Sequence, residues 1–279
     1  MKSATTEELA KKIRIHAVNM VNKGGSSHIG SILSIVDILA VLYGDVMNYK
    51  VENLKWKDRD RFILSKGHAG VGVYAVLAEC GFFDIRDLDK HYQNGSVFSG
   101  HVSHKGVPGV EFSTGSLGHG LPVSSGIALA AKINNQEYKT YVLLSDGELN
   151  EGSNWESLLF SSHHGLNKLI AIIDRNRLQS MKPTEETLSL EPLVNKLEAF
   201  GWHVVEVDGH DHGELNSALL LNTDKPLMIV ANTVKGKGVS FMENKIEWHY
   251  KTPKGKYFKQ AIQDIIGKTF ITPKPLTTF

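Results

Sequence analysis

Short apolar runs alternate with helical patterns along most of the chain, and this alternation constrains the fold more than any other feature. Each run is almost continuously apolar, which is typical of parallel strands that are buried on both faces. The predicted strands lie at 61–65, 140–145, 169–174, 202–207 and 226–232, and the predicted helices at 7–23, 31–47, 69–80, 116–133, 154–163, 190–199 and 213–221. The sequence therefore predicts an α/β fold with a doubly wound, mostly parallel sheet and helices on both faces.

Length, net charge and cysteine content indicate a single-domain protein without disulfides, nucleic acid or membrane partners. At 279 residues we expect a single domain over residues 1–266, followed by a Pro/Thr-rich tail at 267–279. A formal net charge of +1 gives no reason to expect a nucleic acid or a membrane as partner. The single Cys80 excludes an internal disulfide. The N-terminus lacks the uninterrupted apolar segment of a signal peptide, so we expect a cytoplasmic protein.

Polar residues follow two of the predicted strands at the point where each strand ends. "LLSDG" places Asp146 and Gly147 after one strand, and "IIDRNRLQ" places Asn176 after the next. Because ligands bind beyond the carboxyl ends of the strands in such sheets, these side chains converge if the strands are neighbours. A carboxylate, an amide oxygen and the backbone carbonyl of Leu178 would suit Mg²⁺, or alternatively Ca²⁺ or Mn²⁺, together with phosphate oxygens. Gly147 would let the backbone approach those phosphates.

Two other interpretations of the polar residues are possible. Asp and Asn often cap turns, which would explain Asp146 and Asn176 without any ligand. The chain also has 13 histidines, and the pairs His101/His104 and His210/His212 permit a zinc site. Neither pair has a third ligand in a recognisable frame, so zinc is the weaker interpretation.

The surrounding motifs favour a cofactor. "SDGELNEGSNWES", followed further along by "DRNRLQ", resembles the thiamine-diphosphate motif of the transketolase family. Other motifs stand in the family's order: "GGSSHIGS", "LSKGHAG", "SGHVSH", "STGSLGHGL" and "TVKGKGVSFMENKIEWHYK". The resemblance covers nearly the whole chain and implies the diphosphate-binding type of thiamine-diphosphate domain. It also implies a transferase of the pentose phosphate pathway that moves a two-carbon ketol group from a ketose phosphate to an aldose phosphate, with thiamine diphosphate and a divalent metal as cofactors.

The resemblance also implies roles for individual residues. His28 and His101 would hydrogen-bond the hydroxyl groups of the donor sugar and His249 would lie near the reacting oxygen, which makes these three the candidate catalytic residues. The candidate metal ligands are Asp146, Asn176 and Leu178. The candidate cofactor-binding residues are His68, Gly115, Ser116, Leu117, Gly147, Glu148, Glu151 and Asn176.

Three positions depart from the family's motif. Ser145 replaces its first glycine, Arg175 replaces the first asparagine of its pair, and Glu148 replaces an uncharged residue of most relatives. None of these changes removes an expected ligand. Arg175 leaves open how the ligands are oriented.

The resemblance implies a partner chain. In transketolases the glutamate that activates the cofactor comes from a second, pyrimidine-binding domain, and we find no second αβ array after residue 232. We therefore expect one half of a split transketolase, whose C-terminal, pyrimidine-binding half is a separate subunit of an α2β2 heterotetramer. Residues 113–121 and 150–165 are the expected interface.

Two other functions fit the same motifs. One is a split relative that acts on a different donor, such as a branched or sulfonated sugar or a 2-oxo acid. The other is a non-catalytic protein that binds the cofactor. The histidines favour sugar chemistry over decarboxylation of a 2-oxo acid, and a pure scaffold would not need them.

Overall fold

The computed structural model of the chain describes residues 5–267 and is built around a five-stranded sheet. All neighbouring strands are parallel, in the order β1-β2-β3-β5-β4. The strands are β1 (Arg61–Leu64), β2 (Thr140–Ser145), β3 (Leu169–Arg175), β4 (His203–Asp208) and β5 (Leu227–Asn232). The prediction of a parallel α/β sheet is confirmed.

Helices cover both faces of this sheet. They are α1 (Thr6–Gly24), α2 (Ile29–Ser34), α3 (Val36–Val41), α4 (Gly70–Glu79), α5 (Gly120–Ile133), α6 (Gly152–His163), α7 (Thr184–Thr187), α8 (Leu193–Ala199), α9 (His212–Leu219) and α10 (Lys256–Gly267). Short 3₁₀ turns lie at Gly67–Ala69, Ile85–Lys90, Gly147–Asn150 and Ile246–His249, and a π-helical turn lies at Leu42–Val46.

Each face of the sheet has its own hydrophobic core. Phe62 and Leu143 point to the face covered by α1–α4, α9 and α10. Ile63 and Leu144 point to the opposite face, which is covered by α5, α6 and α8. Successive strand residues alternate between faces, so a strand buried on both sides has to be apolar throughout. This explains the continuous apolar runs in the sequence.

Helix α1 begins with a reciprocal capping arrangement. Thr5 Oγ1 accepts the Glu8 N–H at 3.2 Å, and Glu8 Oε2 accepts the Thr5 N–H at 3.1 Å. These bonds satisfy two N–H groups that the start of a helix leaves free. The cap fixes where α1 starts and therefore which residues, Arg14 among them, it buries against the rest of the domain.

The helix predicted over 31–47 is divided in the structure into α2, α3 and the π-helical turn. The hydroxyl of Ser34 lies 3.0 Å from the Ser31 carbonyl and 2.7 Å from Asp174 Oδ2. The next amide, that of Ile35, bonds only three residues back, to the Ile32 carbonyl at 3.3 Å. Hydroxyl groups that compete for backbone partners bend or interrupt helices. The interruption brings Ser34 to the carboxyl end of β3.

Other boundaries also differ from the prediction. Helix α8 begins at Leu193 rather than at 190, because a proline disfavours helical backbone in the residue before it, Glu191, and Pro192 is itself extended at the capping position. Helices α7 and α10 were not predicted, although Ala261 and Ile265 of α10 are buried at helical spacing. The predicted tail at 267–279 lies outside the described residues from 268 onwards.

The long segment at 81–113 contains the 3₁₀ turn at Ile85–Lys90 and is otherwise irregular. Two hydrogen bonds tie it to α4 and the turn before it. The Val102 N–H donates to the Gly67 carbonyl at 2.9 Å, and the Tyr74 hydroxyl donates to the His101 carbonyl at 3.1 Å. These bonds place His101 next to the carboxyl end of β1.

The structure bears on two expectations from the sequence, which concern membrane spans and the single cysteine. Among residues 5–267, no helix combines the length and the apolar character needed to cross a membrane. Cys80 is a free, half-buried cysteine, and burial raises the pKa of its thiol. A thiol with a raised pKa carries little reactive thiolate.

Candidate active site

A cavity of about 250 Å³ lies at the carboxyl edge of the sheet. Its walls come from the residues that follow β1, β2, β3 and β5, and from loops at both ends of the chain. The polar lining residues are His28, Ser31, Lys66, His68, His101, Ser145, Asp146, Asn176, Gln179, Ser180, Lys235, His249 and Tyr250, and the loop residues Gly115, Leu117, Gly147 and Leu178 complete the lining. This is the position at which doubly wound sheets bind their ligands.

Asp146 and Asn176 do converge at this edge, because β2 and β3 are neighbours and Ser145 pairs with Asp174. Two backbone amides hold the Asp146 carboxylate. Oδ1 accepts the Gly147 N–H at 2.7 Å, and Oδ2 accepts the Arg177 N–H at 2.6 Å. Burial, together with the negative charge of Asp174, raises the pKa of Asp146 to about 6. A bound cation would offset this penalty on the ionised form.

The orientation of Asn176 is set by its neighbours. Its Nδ2 donates to Asp174 Oδ2 at 2.9 Å, and its Oδ1 accepts the Leu178 N–H at 3.1 Å. Arg177 adopts φ 65°, and this left-handed turn brings the Leu178 backbone back to the cavity. Asp146, Asn176 and Leu178 therefore present carboxylate, amide and carbonyl oxygens around one space. Such a donor set fits a hard cation such as Mg²⁺ or Ca²⁺.

The zinc interpretation finds no support in the described structure. Across residues 5–267, no group of three or more His, Cys, Asp or Glu side chains could hold a metal ion. His104 Nδ1 lies 2.7 Å from the Ser113 hydroxyl, and both His210 and His212 contact Asp37 instead of each other. Each histidine of the two pairs thus has a partner other than a metal, except His101, which lines the cavity.

Lys66 is a cavity residue that the sequence analysis missed. Its Nζ lies 2.5 Å from Asp174 Oδ2 and 3.2 Å from the Ser31 carbonyl, and both ionised side chains are fully buried. Asp174 also accepts hydrogen bonds from the hydroxyls of Ser34 and Thr233. Burial alone would raise the pKa of Asp174, but Lys66 and the hydroxyls of Ser34 and Thr233 together hold it below the usual value. Asp174 is therefore a buried carboxylate that depends on Lys66 for its charge balance.

Lys235 is a second missed lysine, on the other side of the same space. Its Nζ donates to the carbonyls of Leu178 at 2.9 Å and Gln179 at 3.1 Å. Burial, and then the charge of Lys66, lower the pKa of Lys235 to about 8. Two buried ammonium groups next to a candidate cation site suit a ligand with several negative charges. Both lysines follow strand ends, in "LSKGH" and "TVKGKG", so the rule that identified Asp146 could have identified them.

Arg175, which departs from the family motif, lies behind Asp146. The guanidinium is fully buried; Nη1 lies 3.4 Å from Asp146 Oδ2, and Nη2 lies 2.9 Å from Glu185 Oε1 and 2.7 Å from Glu191 Oε1. Nη1 also donates to the Thr184 hydroxyl at 2.9 Å. The positive charge of Arg175 is thus shared with two other carboxylates, and it links the segment around α7 to the candidate metal site.

Four of the predicted histidines meet in the cavity. The ring of His28 lies 5.0 Å from those of His68 and His249 and 5.8 Å from that of His101, measured between centroids. His28 adopts φ 73° ahead of α2. Its backbone N–H donates to the His249 carbonyl at 2.8 Å, which connects a segment near the start of the chain to one near its end. Tyr250 packs its ring 4.7 Å from that of His249 at the cavity mouth.

The imidazoles of His28, His68 and His249 are neutral near pH 7. Burial, and then the charges of His101 and Lys235, lower the pKa of His28 to about 4. Burial, and then Lys235, lower the pKa of His249 to about 3, and burial holds that of His68 well below its usual value. A neutral imidazole has one donor and one acceptor nitrogen, so these rings can bind sugar hydroxyls in either role.

The loop before α5 supplies Gly115 and Leu117 to the cavity, but Ser116 is exposed and does not line it. Gly147 lines the cavity closely, since a Cβ there would come within 2.8 Å of Gln179 Cγ. Glu151 is exposed at the start of α6 and makes no contact with the cavity in this chain. The predicted roles of Ser116 and Glu151 in cofactor binding therefore receive no support from their positions.

Glu148 requires a correction, because its side chain is completely buried and lies behind the cavity wall instead of in it. Its carboxylate accepts the Gly118 N–H at 2.8 Å, the Ser145 N–H at 3.2 Å and the Ser65 hydroxyl. Burial raises the pKa of Glu148 in spite of these donors. Glu148 thus connects the loop before α5 to the ends of β1 and β2. Its carboxylate oxygens are occupied by these hydrogen bonds and do not face the cavity.

We expect Glu148→Ala to destabilise the chain strongly. The substitution leaves three buried donors without an acceptor, at about 1–3 kcal/mol each, so the free energy of unfolding should fall by about 3 kcal/mol or more. Urea denaturation measures this loss. The matched control is Glu151→Ala, three residues further on and exposed, which should change stability by no more than about 0.5 kcal/mol. Equal stability of the two variants would contradict the assignment.

Comparisons with known proteins agree with the geometry. A family model described as transketolase, thiamine diphosphate binding domain, matches residues 5–268. The chain is 40% identical over 268 residues to one subunit of the apulose-4-phosphate transketolase of Phocaeicola vulgatus, covering 95% of each chain. It is 39% identical to the 6-deoxy-6-sulfo-D-fructose transketolase subunit SqwG of Clostridium sp. (strain MSTE9), covering 92% of this chain and 94% of that relative.

A solved structure shows the same fold within a longer chain. The transketolase of Campylobacter jejuni superposes with a TM-score of 0.87 at 31% sequence identity. The match covers 93% of this chain but 42% of that transketolase, so the chain spans less than half the length of the longer enzyme.

Proposed function

Because the chain belongs to the transketolase family, whose thiamine diphosphate binding domain it carries, we propose that it is the diphosphate-binding subunit of a two-chain transketolase. With its partner it transfers a two-carbon ketol group from a ketose phosphate to an aldose phosphate. The observation that carries this proposal is the convergence of oxygen ligands, two lysines and four histidines in one cavity.

The candidate ligand oxygens bind the cation, and the two lysines bind the diphosphate of the cofactor. Asp146, Asn176 and the Leu178 carbonyl hold the divalent cation, for which Mg²⁺ is the first choice and Ca²⁺ or Mn²⁺ are alternatives. Lys66 and Lys235 offset the remaining negative charge of the diphosphate. When bound, thiamine diphosphate supplies the thiazolium carbon that carries the ketol group between the two sugars.

The histidines bind and orient the sugars. His28 and His101 lie where they can hydrogen-bond donor hydroxyls, and His249 lies where it can exchange a proton with a carbonyl oxygen. The neutral rings of His28 and His249 each have one donor and one acceptor nitrogen for these contacts. The ring of His68 packs 5.0 Å from that of His28, and the charge of Lys66 acts on it, which supports a position near the phosphates.

A second polypeptide completes the site in this proposal. Two relatives of similar length are named as transketolase subunits, and each is covered over more than nine-tenths of its length. Leu159 and Phe160 of α6 are 60% and 39% exposed, and they lie within the expected interface at 150–165. Large apolar side chains exposed together favour a buried contact in an assembly, which we assign to a pyrimidine-binding subunit in an α2β2 particle.

The identity of the donor sugar is a separate question, because the relatives are named for different sugars. One is an apulose-4-phosphate transketolase and another a 6-deoxy-6-sulfo-D-fructose transketolase, so a branched or sulfonated donor is the second candidate. We place the reaction in cytoplasmic carbohydrate metabolism, with the pentose phosphate pathway as the first candidate. A donor screen that includes phosphorylated, branched and sulfonated ketoses discriminates between these candidates.

Reconstitution tests the two-chain proposal. The purified chain should bind thiamine diphosphate with Mg²⁺ in a calorimeter, yet give no turnover of a ketose-phosphate donor by itself. Addition of the pyrimidine-binding chain should restore turnover, whereas that chain alone should be inactive. A mixture made with Asp146→Asn is the matched control and should stay inactive. Full turnover by the purified chain without a partner would refute the proposal.

A further inference from the structure

A second buried polar cluster lies outside the cavity, between α1, α3 and α9. It consists of Arg14, Asp37, His210 and His212, and we call it the Asp37 cluster. Asp37 is 2% and Arg14 is 1% exposed, and the guanidinium contacts the carboxylate through two bonds of 3.0 and 2.5 Å. His210 Nδ1 lies 2.7 Å from Asp37 Oδ2, and His212 Nε2 lies 3.1 Å from Oδ1.

The hydrogen bonds give a partner to every ring nitrogen of both imidazoles. His210 Nε2 accepts the N–H of Val234 at 2.8 Å, so the ring proton is on Nδ1 and is donated to Asp37. His212 likewise donates from Nε2 to Asp37, and its Nδ1 faces the Thr6 hydroxyl at 2.8 Å. Both nitrogens of each ring thus have a partner, and the charge of Asp37 is paired with that of Arg14. The carboxylate oxygens of Asp37 and the ring nitrogens of both histidines are all occupied by these contacts, so the cluster does not form a metal or ligand site.

The cluster nevertheless reaches the cavity through one backbone segment, residues 233–238. His210 holds this segment at the Val234 amide, and Arg14 Nε donates to the Lys237 carbonyl at 3.3 Å. These two bonds flank Lys235, whose ammonium lines the cavity. His212 shares Asp37 with His210 but has no bond to this segment in the described structure.

We propose that His210, held in place by Asp37, is a positioning residue that sets the location of Lys235 and thereby the affinity of the site for a diphosphate. This inference rests on the proposed function, since it takes the ligand at Lys235 to be the diphosphate. The segment is also held by the Gly236 N–H, which donates to the Gly30 carbonyl at 2.9 Å. Loss of the His210 contact should therefore weaken binding without abolishing it.

Two isosteric variants separate the two contacts of His210. His210→Gln puts an amide oxygen near the position of Nε2, so it retains an acceptor for Val234 and loses the bond to Asp37. His210→Asn puts an amide N–H near the position of Nδ1, so it retains the bond to Asp37 and loses the acceptor. His212→Leu is the matched control, because it also removes a bond to Asp37 but does not touch the segment that carries Lys235.

Calorimetry of the full chain with Mg²⁺ and thiamine diphosphate, and separately with inorganic pyrophosphate, measures the effect. We expect His210→Asn to bind both ligands about tenfold more weakly, because an unpaired buried N–H is relieved only by moving the segment. His210→Gln and His212→Leu should stay within about twofold of the natural chain, even where their melting temperatures fall. Equal affinities of His210→Asn and His210→Gln would overturn the inference.

A measurement without any ligand separates this inference from the proposed function. If the natural chain binds neither ligand even in the presence of the pyrimidine-binding chain, the proposed function fails. Hydrogen exchange at the amides of 233–237 then still tests the positioning role. Exchange should be faster in His210→Asn than in His210→Gln and His212→Leu. Equal exchange in the three variants would overturn the inference, whether or not the chain binds the cofactor.

Discussion

Asp146→Asn is expected to reduce the cation-dependent affinity for thiamine diphosphate by more than about 100-fold. Even residues behind a metal ligand typically contribute about 10- to 100-fold to affinity, so the only carboxylate among the three candidate ligands should contribute more. The substitution keeps the size of the side chain and removes its charge. Calorimetry at several Mg²⁺ concentrations measures both the loss of affinity and the loss of its dependence on the cation.

A matched control exists at the end of another strand. Asp208 also ends its strand, β4, but it does not line the cavity. Asp208→Asn should leave cofactor affinity and its Mg²⁺ dependence unchanged within about twofold. If Asp146→Asn bound thiamine diphosphate with the same dependence on Mg²⁺ as the natural chain, Asp146 would not be a metal ligand and the site as proposed would be wrong.

Lys66→Met is expected to lower the free energy of unfolding by about 3–5 kcal/mol, because it leaves the fully buried Asp174 without its counter-ion. Removal of Lys66 should also let burial raise the pKa of Asp174, so the loss of stability should become smaller as the pH falls and the carboxyl takes up a proton. Urea denaturation at pH 7 and at pH 5 measures both effects.

The double variant Lys66→Met/Asp174→Asn distinguishes the two roles of Lys66. It removes both charges, and replacing a whole buried ion pair is often nearly neutral for stability. We therefore expect stability close to that of the natural chain, while affinity for the diphosphate stays low because the ammonium group is still missing. A double variant that is as unstable as Lys66→Met would show that the charge on Asp174 is not the cause. Recovery of affinity would show that Lys66 does not contact the diphosphate.

Features that depend on local sequence were predictable. A strand buried on both faces is largely apolar, so β1, β2, β3 and β5 could be read from the chain to within a residue or two. The edge strand β4 is partly exposed, and its position was predicted to the same accuracy. The positions of Asp146 and Asn176 followed from the same reasoning, because a residue directly after a parallel strand has to lie at the carboxyl edge of the sheet. Neither conclusion needed to know which distant residues come into contact.

Features that depend on distant partners were not predictable in this way. Ser34 interrupts its helix because it contacts Asp174, which is 140 residues away in the sequence. Separation in the chain also conceals the pair of Lys66 and Asp174. It conceals the role of Glu148 as well, because two of its donors, Ser65 and Gly118, are distant in the sequence. In "SDGEL" nothing local distinguishes a carboxylate that faces the cavity from one turned into the protein.

The contact between His28 and His249 has a consequence for how the protein is made. Part of the cavity wall comes from near the start of the chain, and the part in contact with it comes from near the end. A nascent chain on the ribosome therefore lacks its full share of the site until more than nine-tenths of residues 5–267 have been synthesised. A product that stops before His249 lacks this part of the wall, and we expect it to bind thiamine diphosphate more weakly than the whole chain.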